Sequence, residues 1–256
     1  MIVIASLKWL KWLNIVAFIL VVLVNSLAGS TTLIGGQNTA SVSDSNPTLV
    51  TPAGYVFSIW GAIYVLLGVF VIYQALPSGK GEYQKKIGFF FVLSSLFNIV
   101  WLFLWQYEML VFSVVVMFLL LASLIAIYVR LGIGKSKPST RERLAIHLPF
   151  SVYLGWITIA SIANVATTLV SVGWNGLGIP PETWAILIMI VALMIALLVT
   201  ATRMDFAYGL VIIWALMGIA VKQSQYPSIV LLAQISAVVV GIAVAVKTIF
   251  SRTRNR

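Results

Sequence analysis

Cysteine is absent from this chain, and histidine occurs once, at His147. Without cysteine the chain has no disulfide, no thiolate nucleophile and no Cys-ligated metal or haem. A single histidine also excludes a zinc or haem site that takes two histidines from one chain. The sequence therefore predicts no metal site and no catalytic residue, and His147 is interpreted as an interfacial side chain at the end of a helix.

Charged residues are also scarce. They make up 9% of the 256 residues, whereas 61% are hydrophobic. A soluble domain carries about 25% charged residues. Because so few charges cannot cover a water-facing surface, the predicted surroundings are a lipid bilayer. We therefore predict an all-α integral membrane protein.

Eight apolar segments are long enough to cross a bilayer as helices, which takes about 20 residues each. The stretch from Ile87 to Arg130 would be about 66 Å long as a single helix, so it must fold back. Its polar interruption is Gln106-Tyr107-Glu108, where we predict the turn. The eight predicted spans are Trp9–Ala28, Tyr55–Leu76, Ile87–Gln106, Leu110–Val129, Leu148–Val170, Trp184–Ala201, Phe206–Val221 and Ile229–Phe250.

Basic residues are distributed asymmetrically about these spans. Fifteen of the sixteen Lys and Arg residues fall in connections on one side, and Lys222 alone falls on the other. The positive-inside rule therefore places both termini in the cytoplasm, and we expect the cytoplasmic membrane of a bacterium. The net charge of +10 is then a topology signal, and no nucleic-acid partner is predicted. The fifteen residues are Lys8, Lys11, Lys80, Lys85, Lys86, Arg130, Lys135, Lys137, Arg141, Arg143, Arg203, Lys247, Arg252, Arg254 and Arg256.

The longest predicted outer connection is Gly29–Gly54. It is rich in Gly, Ser, Thr and Asn, and Asp44 is its only charged residue. Long connections often cover a ligand site, but they also occur as unstructured tethers. The sequence leaves both interpretations open.

Aromatic and amide side chains recur at helical spacing on three spans, so each set lies on one helix face. Most of these side chains are predicted in the outer half of the membrane, beneath Gly29–Gly54. They would line one cavity with aromatic walls and a few amides, or they would bond neighbouring helices without any ligand. The three stripes are Trp60-Tyr64-Gly68, Asn98-Trp101-Trp105 and Trp156-Ala160-Asn164.

No span carries Asp, Glu, Lys or Arg near its middle. Ion-coupled pumps and proton relays normally need such a residue. The sequence therefore disfavours a proton- or sodium-driven transporter.

At these stripes the sequence resembles the TspO/MBR family, the tryptophan-rich sensory proteins related to the translocator protein (peripheral benzodiazepine receptor). The run from Pro52 to Gly68 resembles the second-helix motif, in which a proline and an aromatic residue precede W-x-x-x-Y-x-x-x-G. Asn98-Ile-Val-Trp101 resembles the third-helix N-x-x-W. The run Tyr153–Asn164 resembles the fifth-helix Y-L-x-W-x-x-x-A-x-x-x-N.

This resemblance implies a five-helix bundle with a hydrophobic pocket under the first connection, and three additional helices. It divides the chain into residues 1–172, the bundle, and 173–256, the additional helices with a basic tail. It implies a sensory-type protein that binds a porphyrin, another tetrapyrrole or a similarly bulky hydrophobic small molecule, with no cofactor required. Unlike the family's capping loop, Gly29–Gly54 contains no aromatic residue and no lysine. The implied ligand-binding residues are Trp60, Tyr64, Asn98, Trp101, Trp156 and Asn164.

Three other functions stay open at this point. The alternative to a receptor is a transporter or exporter of small hydrophobic molecules that works without ion coupling. We predict that the chain is not an enzyme, although photochemistry on a bound tetrapyrrole, or its degradation, stays open. The third function is that of an assembly subunit that binds no ligand. As partners we expect the lipid bilayer, and a homo-oligomer stays open.

Overall fold

The structure, a computed structural model, describes the backbone of residues 2–76 and 82–253, and side chains within 9–76 and 82–246. These residues form helices and their connections, without a strand among them. A 3-10 turn, Gly54–Ser58, leads into the third helix, and a π-helical turn, Arg143–His147, leads into the eighth. The helices are α1 (Ile2–Ser30), α2 (Thr39–Ser45), α3 (Ile59–Ala75), α4 (Tyr83–Ile87), α5 (Phe90–Gln106), α6 (Leu110–Leu131), α7 (Thr140–Glu142), α8 (Leu148–Ser171), α9 (Pro181–Thr202), α10 (Phe206–Lys222) and α11 (Pro227–Thr253).

The predicted fold-back after Gln106 is confirmed. Helix α5 ends at Gln106 and α6 begins at Leu110. Glu108 adopts a φ of 54°, in the left-handed region that reverses a chain, and the Met109 amide donates to Leu104 O at 2.8 Å. The predicted start of this span at Ile87 is wrong by three residues. Gly88 has a φ of 52° and separates the short α4 from α5.

Six helical segments are long and apolar enough to cross a membrane. Two further helices, α5 and α10, are equally apolar but have 17 residues each. Seventeen residues span about 25 Å, at the short end of what a bilayer core requires. The all-helical, membrane-type fold is therefore confirmed for the described residues. The six long segments are Trp9–Ser30, Gly54–Ala75, Leu110–Leu131, Thr140–Ser171, Pro181–Thr202 and Pro227–Val246.

Helix α8 lies at the centre of the bundle. In the most apolar stretch of Thr140–Ser171, the segment that contains α8, 72% of the residues are buried. In the most apolar stretch of α1 only 17% are buried. It packs against α3 and α6 on one side and against α10 on another, while α11 packs outside α10 and α9. The predicted division at residues 172 and 173 falls just after α8 and stays a prediction. Because α10 returns to α8, the two parts share one packed interior.

Several basic residues lie at one end of the bundle, here called the basic end, where their side chains donate hydrogen bonds to backbone carbonyl groups. Lys11 Nζ donates to Ala75 O at 2.8 Å, joining the start of α1 to the end of α3. Arg130 donates to Lys85 O and Arg203 donates to Ile133 O. The basic residues used for the orientation also include Lys80, Arg254 and Arg256, which lie outside the described residues, and Lys8, Lys247 and Arg252, whose side chains are not described.

Helices α8 and α10 approach closely at Gly155. A methyl group at this position would lie 3.1 Å from Val211 Cβ and 3.2 Å from Tyr208 O. Small residues permit such backbone approach between membrane helices, where packing rather than water drives association. Gly61 on α3 is not closely packed, since a methyl group added there would have no atom within 4 Å.

We expect Gly155→Leu to lower the free energy of unfolding by about 1–3 kcal/mol, because the added side chain overpacks the α8–α10 contact. The matched substitution Gly61→Leu should leave it unchanged or slightly raised, since leucine favours helix and meets no neighbour. Thermal unfolding of the two purified variants in the same detergent measures the difference. Equal midpoints would contradict the close α8–α10 packing.

Candidate functional site

A narrow cavity lies between α3, α5 and α8, at the end of the bundle opposite the basic end. The connection between α1 and α3, residues 31–58, folds over it and is here called the cap. The cavity has a volume of about 30 Å³, room for about two water molecules. None of its lining residues carries a titratable side chain. They are Thr39, Ser43, Pro52, Phe57, Trp60, Trp101, Trp105, Trp156, Ile159, Ala160, Ala163, Asn164 and Thr167.

Trp60 contacts several other aromatic side chains in and beside the cavity wall. Its ring stacks on Trp101 with the centroids 6.1 Å apart and the planes at 28°. Trp156 meets Trp60 edge-on at 6.1 Å, and Trp101 stacks on Trp105 at 5.7 Å. Aromatic pairs at such distances each contribute about 0.5–1.5 kcal/mol beyond the area they bury. The wall is therefore built of flat rings in contact with one another.

The side chain of Asn164 fixes one of these rings. Trp101 Nε1 donates to Asn164 Oδ1 at 2.8 Å, and Asn164 Nδ2 donates to Ser113 Oγ at 2.9 Å. Asn164 is 2% exposed, and Trp101 is 4% exposed. In a bilayer no water replaces these bonds, so Asn164 holds α5, α6 and α8 together and sets the orientation of the Trp101 ring.

Asn98 belongs to a second buried chain of hydrogen bonds, which lies deeper than the cavity. Asn25 Nδ2 donates to Asn98 Oδ1 at 2.7 Å, and Asn98 Nδ2 donates to Tyr153 OH at 3.1 Å. This series of hydrogen bonds connects α1, α5 and α8. It supports the floor on which Trp60 rests, because the Tyr153 ring meets Trp60 at 6.1 Å.

Two fully buried polar groups of the lining residues have no hydrogen-bond partner among the described residues. They are Trp156 Nε1 and Thr167 Oγ1, from side chains that are 2% and 0% exposed. A buried N–H or O–H without a partner costs about 1–3 kcal/mol. A bound molecule with acceptor atoms would recover that energy.

The structure brings four of the six predicted residues into the cavity lining: Trp60, Trp101, Trp156 and Asn164. The other two lie one helical turn further from the cap and outside that lining. Tyr64 stacks beneath Trp60 with centroids 5.8 Å apart, and Asn98 forms the deeper chain.

Several lining residues were not predicted from the sequence. Thr167 extends the predicted α8 stripe by a further turn, so the helical period could have included it. The cap residues Thr39, Ser43, Pro52 and Phe57 follow no periodic pattern. Their positions depend on how the cap folds back onto the bundle.

The cap is packed against the bundle, as expected of a cover rather than a tether. Trp105 Nε1 donates to Thr39 O at 3.1 Å, and Gln37 Nε2 donates to Glu108 Oε1 at 2.6 Å. Val42, on the short helix α2, is fully buried. The cap therefore closes the cavity at the end away from the basic residues.

We expect Asn164→Leu to lower the free energy of unfolding by about 1–3 kcal/mol, since it leaves the Trp101 indole N–H buried without an acceptor. Gln234→Leu, at an exposed position on α11, is the control and should have little effect. Equilibrium unfolding in mixed detergent, followed by tryptophan fluorescence, measures both. An Asn164→Leu variant as stable as the Gln234→Leu variant would show that the Trp101 bond does not stabilise the bundle.

The family comparison covers nearly the whole chain. A family model described as TSPO-like protein matches residues 11–246, which include most of α1, all of α2 to α10 and most of α11. No curated protein and no solved structure matches the chain. The family, together with the apolar helices, supports an integral membrane protein that binds hydrophobic ligands. The chain belongs to the family of TSPO-like proteins.

Proposed function

We propose that this protein is a sensory-type membrane receptor that binds a bulky, flat, apolar molecule of the porphyrin or tetrapyrrole kind in the cavity beneath the cap. The observation that carries the proposal is the stacked cluster of Trp60, Trp101 and Trp105 in the cavity wall. Flat aromatic faces bind a flat conjugated ligand by stacking and by excluding lipid and water. The proposal is one of binding and not of catalysis.

The polar groups of the cavity support the same proposal. Because no lining residue is titratable, the site favours a ligand whose buried part is uncharged. Trp156 Nε1 and Thr167 Oγ1 are free to bond acceptor atoms on the ligand. Asn164 is already engaged with Trp101 and Ser113, so its role is to hold the ring in place.

Binding requires the cavity to open. Its volume of about 30 Å³ is far below the roughly 300–1,000 Å³ of sites for drug-sized molecules. A macrocycle therefore enters only if the cap lifts and the stacked rings of Trp60, Trp101 and Trp105 move apart. Such a ligand would be enclosed afterwards, because the cap and the rings close over it.

The proposal includes a topology of eight spans with both termini in the cytoplasm of a bacterial cell. Helix α5 packs antiparallel to α6, which is long enough to cross, and α10 packs on both α8 and α11. Lys222 is hydrogen bonded to Asp44 of the cap, at the end opposite Lys11, Arg130 and Arg203. This grouping supports an outward-facing cap.

The topology is testable with single cysteines, because the chain has none of its own. A membrane-impermeant maleimide added to intact spheroplasts should label Ser45→Cys, which is exposed on the cap. It should not label Lys135→Cys, exposed in the connection after α6, until the membrane is permeabilised. Labelling of Lys135→Cys in intact spheroplasts would show that the protein has the opposite orientation in the membrane.

Ligand binding is measured by titrating the purified protein with protoporphyrin IX and following the quenching of tryptophan fluorescence. We expect saturable quenching at micromolar ligand, and at least about tenfold weaker binding by Trp60→Leu, because the central stacking surface is lost. Trp12→Leu is the control, since Trp12 is 61% exposed on α1 and far from the cavity. It should bind as the wild type does.

Two results would overturn or redirect the proposal. Absence of saturable quenching in the wild-type protein, or equal weakening by Trp60→Leu and Trp12→Leu, would remove the cavity as a porphyrin site. Time-dependent accumulation of the porphyrin inside proteoliposomes would instead assign the protein to facilitated transport of hydrophobic molecules. A receptor binds the ligand without moving it across the membrane.

A further inference from the structure

Helix α10 lines no part of the cavity, yet its outer half and the residue that follows it are hydrogen bonded to the cap. Gln223, the residue that follows α10, is 7% exposed. Its Nε2 donates to Thr48 O at 3.0 Å and to Thr51 O at 3.3 Å. One buried amide therefore satisfies two carbonyl groups of the cap.

The same helix contacts the 3-10 turn that forms the cavity wall. The Ala53 amide donates to Gly218 O at 3.0 Å, and Trp214 Nε1 donates to Val56 O at 3.2 Å. A methyl group at Gly218 would lie 2.2 Å from Val56 Cγ2, so the absence of a side chain here permits the approach. Pro52 and Phe57, which flank this contact, line the cavity.

An ion pair completes the attachment. Lys222 Nζ is paired with Asp44, whose side chain is 58% exposed. Exposed pairs contribute little, so the bonds of the buried Gln223 side chain and the partly buried bond of Trp214 carry most of the attachment. Asp44 lies next to Ser43, a cavity-lining residue of the cap.

We infer that α10 is a latch that holds the cap closed over the cavity, so that the C-terminal helices control access to a site whose walls come from α3, α5 and α8. The cap has two attachments. The one to α5 runs through Trp105, which is itself part of the cavity wall. On the α10 side, Gln223 bonds Thr48 and Thr51, which are not among the lining residues. Weakening the Gln223 bonds therefore opens the cap without altering a residue that lines the cavity.

The latch is tested first without any ligand, by cysteine accessibility. Ser43→Cys places the only thiol of the chain at a position that is 4% exposed under the cap. We expect Gln223→Ala to raise the rate of its reaction with a maleimide by about tenfold, the factor for a net loss of about one hydrogen bond. Gly218→Ala should also raise it, because the methyl group forces Val56 away from α10.

Matched controls separate the latch from general loosening. The controls Gln234→Ala and Gly241→Ala replace the same residue types on α11. Gly241 has only an ordinary contact at 3.8 Å. Both substitutions should leave the labelling rate of Ser43→Cys unchanged. Ser45→Cys, exposed on the cap, should react fast in every background. Ser151→Cys, which is 2% exposed on α8 away from the cap, should stay slow.

Unchanged labelling of Ser43→Cys in both the Gln223→Ala and Gly218→Ala backgrounds would overturn the inference. A parallel rise at Ser151→Cys would overturn it as well, since the whole bundle would then be opening. The circular dichroism of each variant, recorded at the labelling temperature, verifies that helical structure is retained.

A second arm rests on the proposed function and uses protoporphyrin IX as the probe. In stopped-flow fluorescence, Gln223→Ala should raise the association and dissociation rates together by several fold, with a smaller change in Kd, because the latch changes access rather than contact. A change in Kd with no change in the association rate would count against the latch. Failure of the wild type to bind removes the proposed function and leaves the labelling result standing.

Discussion

The hydrogen bond from Trp101 to Asn164 is the interaction on which the cavity depends. It joins α5 to α8 inside an apolar bundle, where an unpaired indole N–H or amide would find no water. Asn164 uses its second group to reach Ser113 on α6, so one side chain fixes three helices. With Trp101 held, Trp60 and Trp105 both stack against its ring, and a wall of rings results. The cavity wall is therefore built of aromatic rings that a few amide side chains hold in place.

The sequence predicted the faces of the helices better than the limits of the cavity. A period of about 3.6 residues placed Trp60, Trp101, Trp156 and Asn164 on three helix faces, and the family resemblance implied that they bind a ligand. The same period cannot tell how deep a cavity extends, and Tyr64 lies one turn below it. The cap residues Thr39 and Ser43 could not be predicted, since a long connection rich in Gly, Ser and Thr has no periodic pattern.

Long-range contacts were the other limit. The turn at Glu108 was predictable because a helix of about 66 Å cannot fit a bilayer. The contact of Gln223 with Thr48 joins residues far apart in the chain, and nothing in either local sequence indicates it. The family match over residues 11–246 agrees with an interior that α8 and α10 build together. In this protein the last three helices pack into the same structure as the cavity.

The two unpartnered groups of the cavity have a geometric consequence. Trp156 and Thr167 lie on the same face of α8, eleven residues apart, so their Cα atoms are separated by about 16 Å. A guest that satisfies only one of them leaves the other dehydrated at a cost of about 1–3 kcal/mol. In the proposed complex, guests would therefore be ranked by the distance between the oxygen or nitrogen atoms at their two extremities as well as by their flatness.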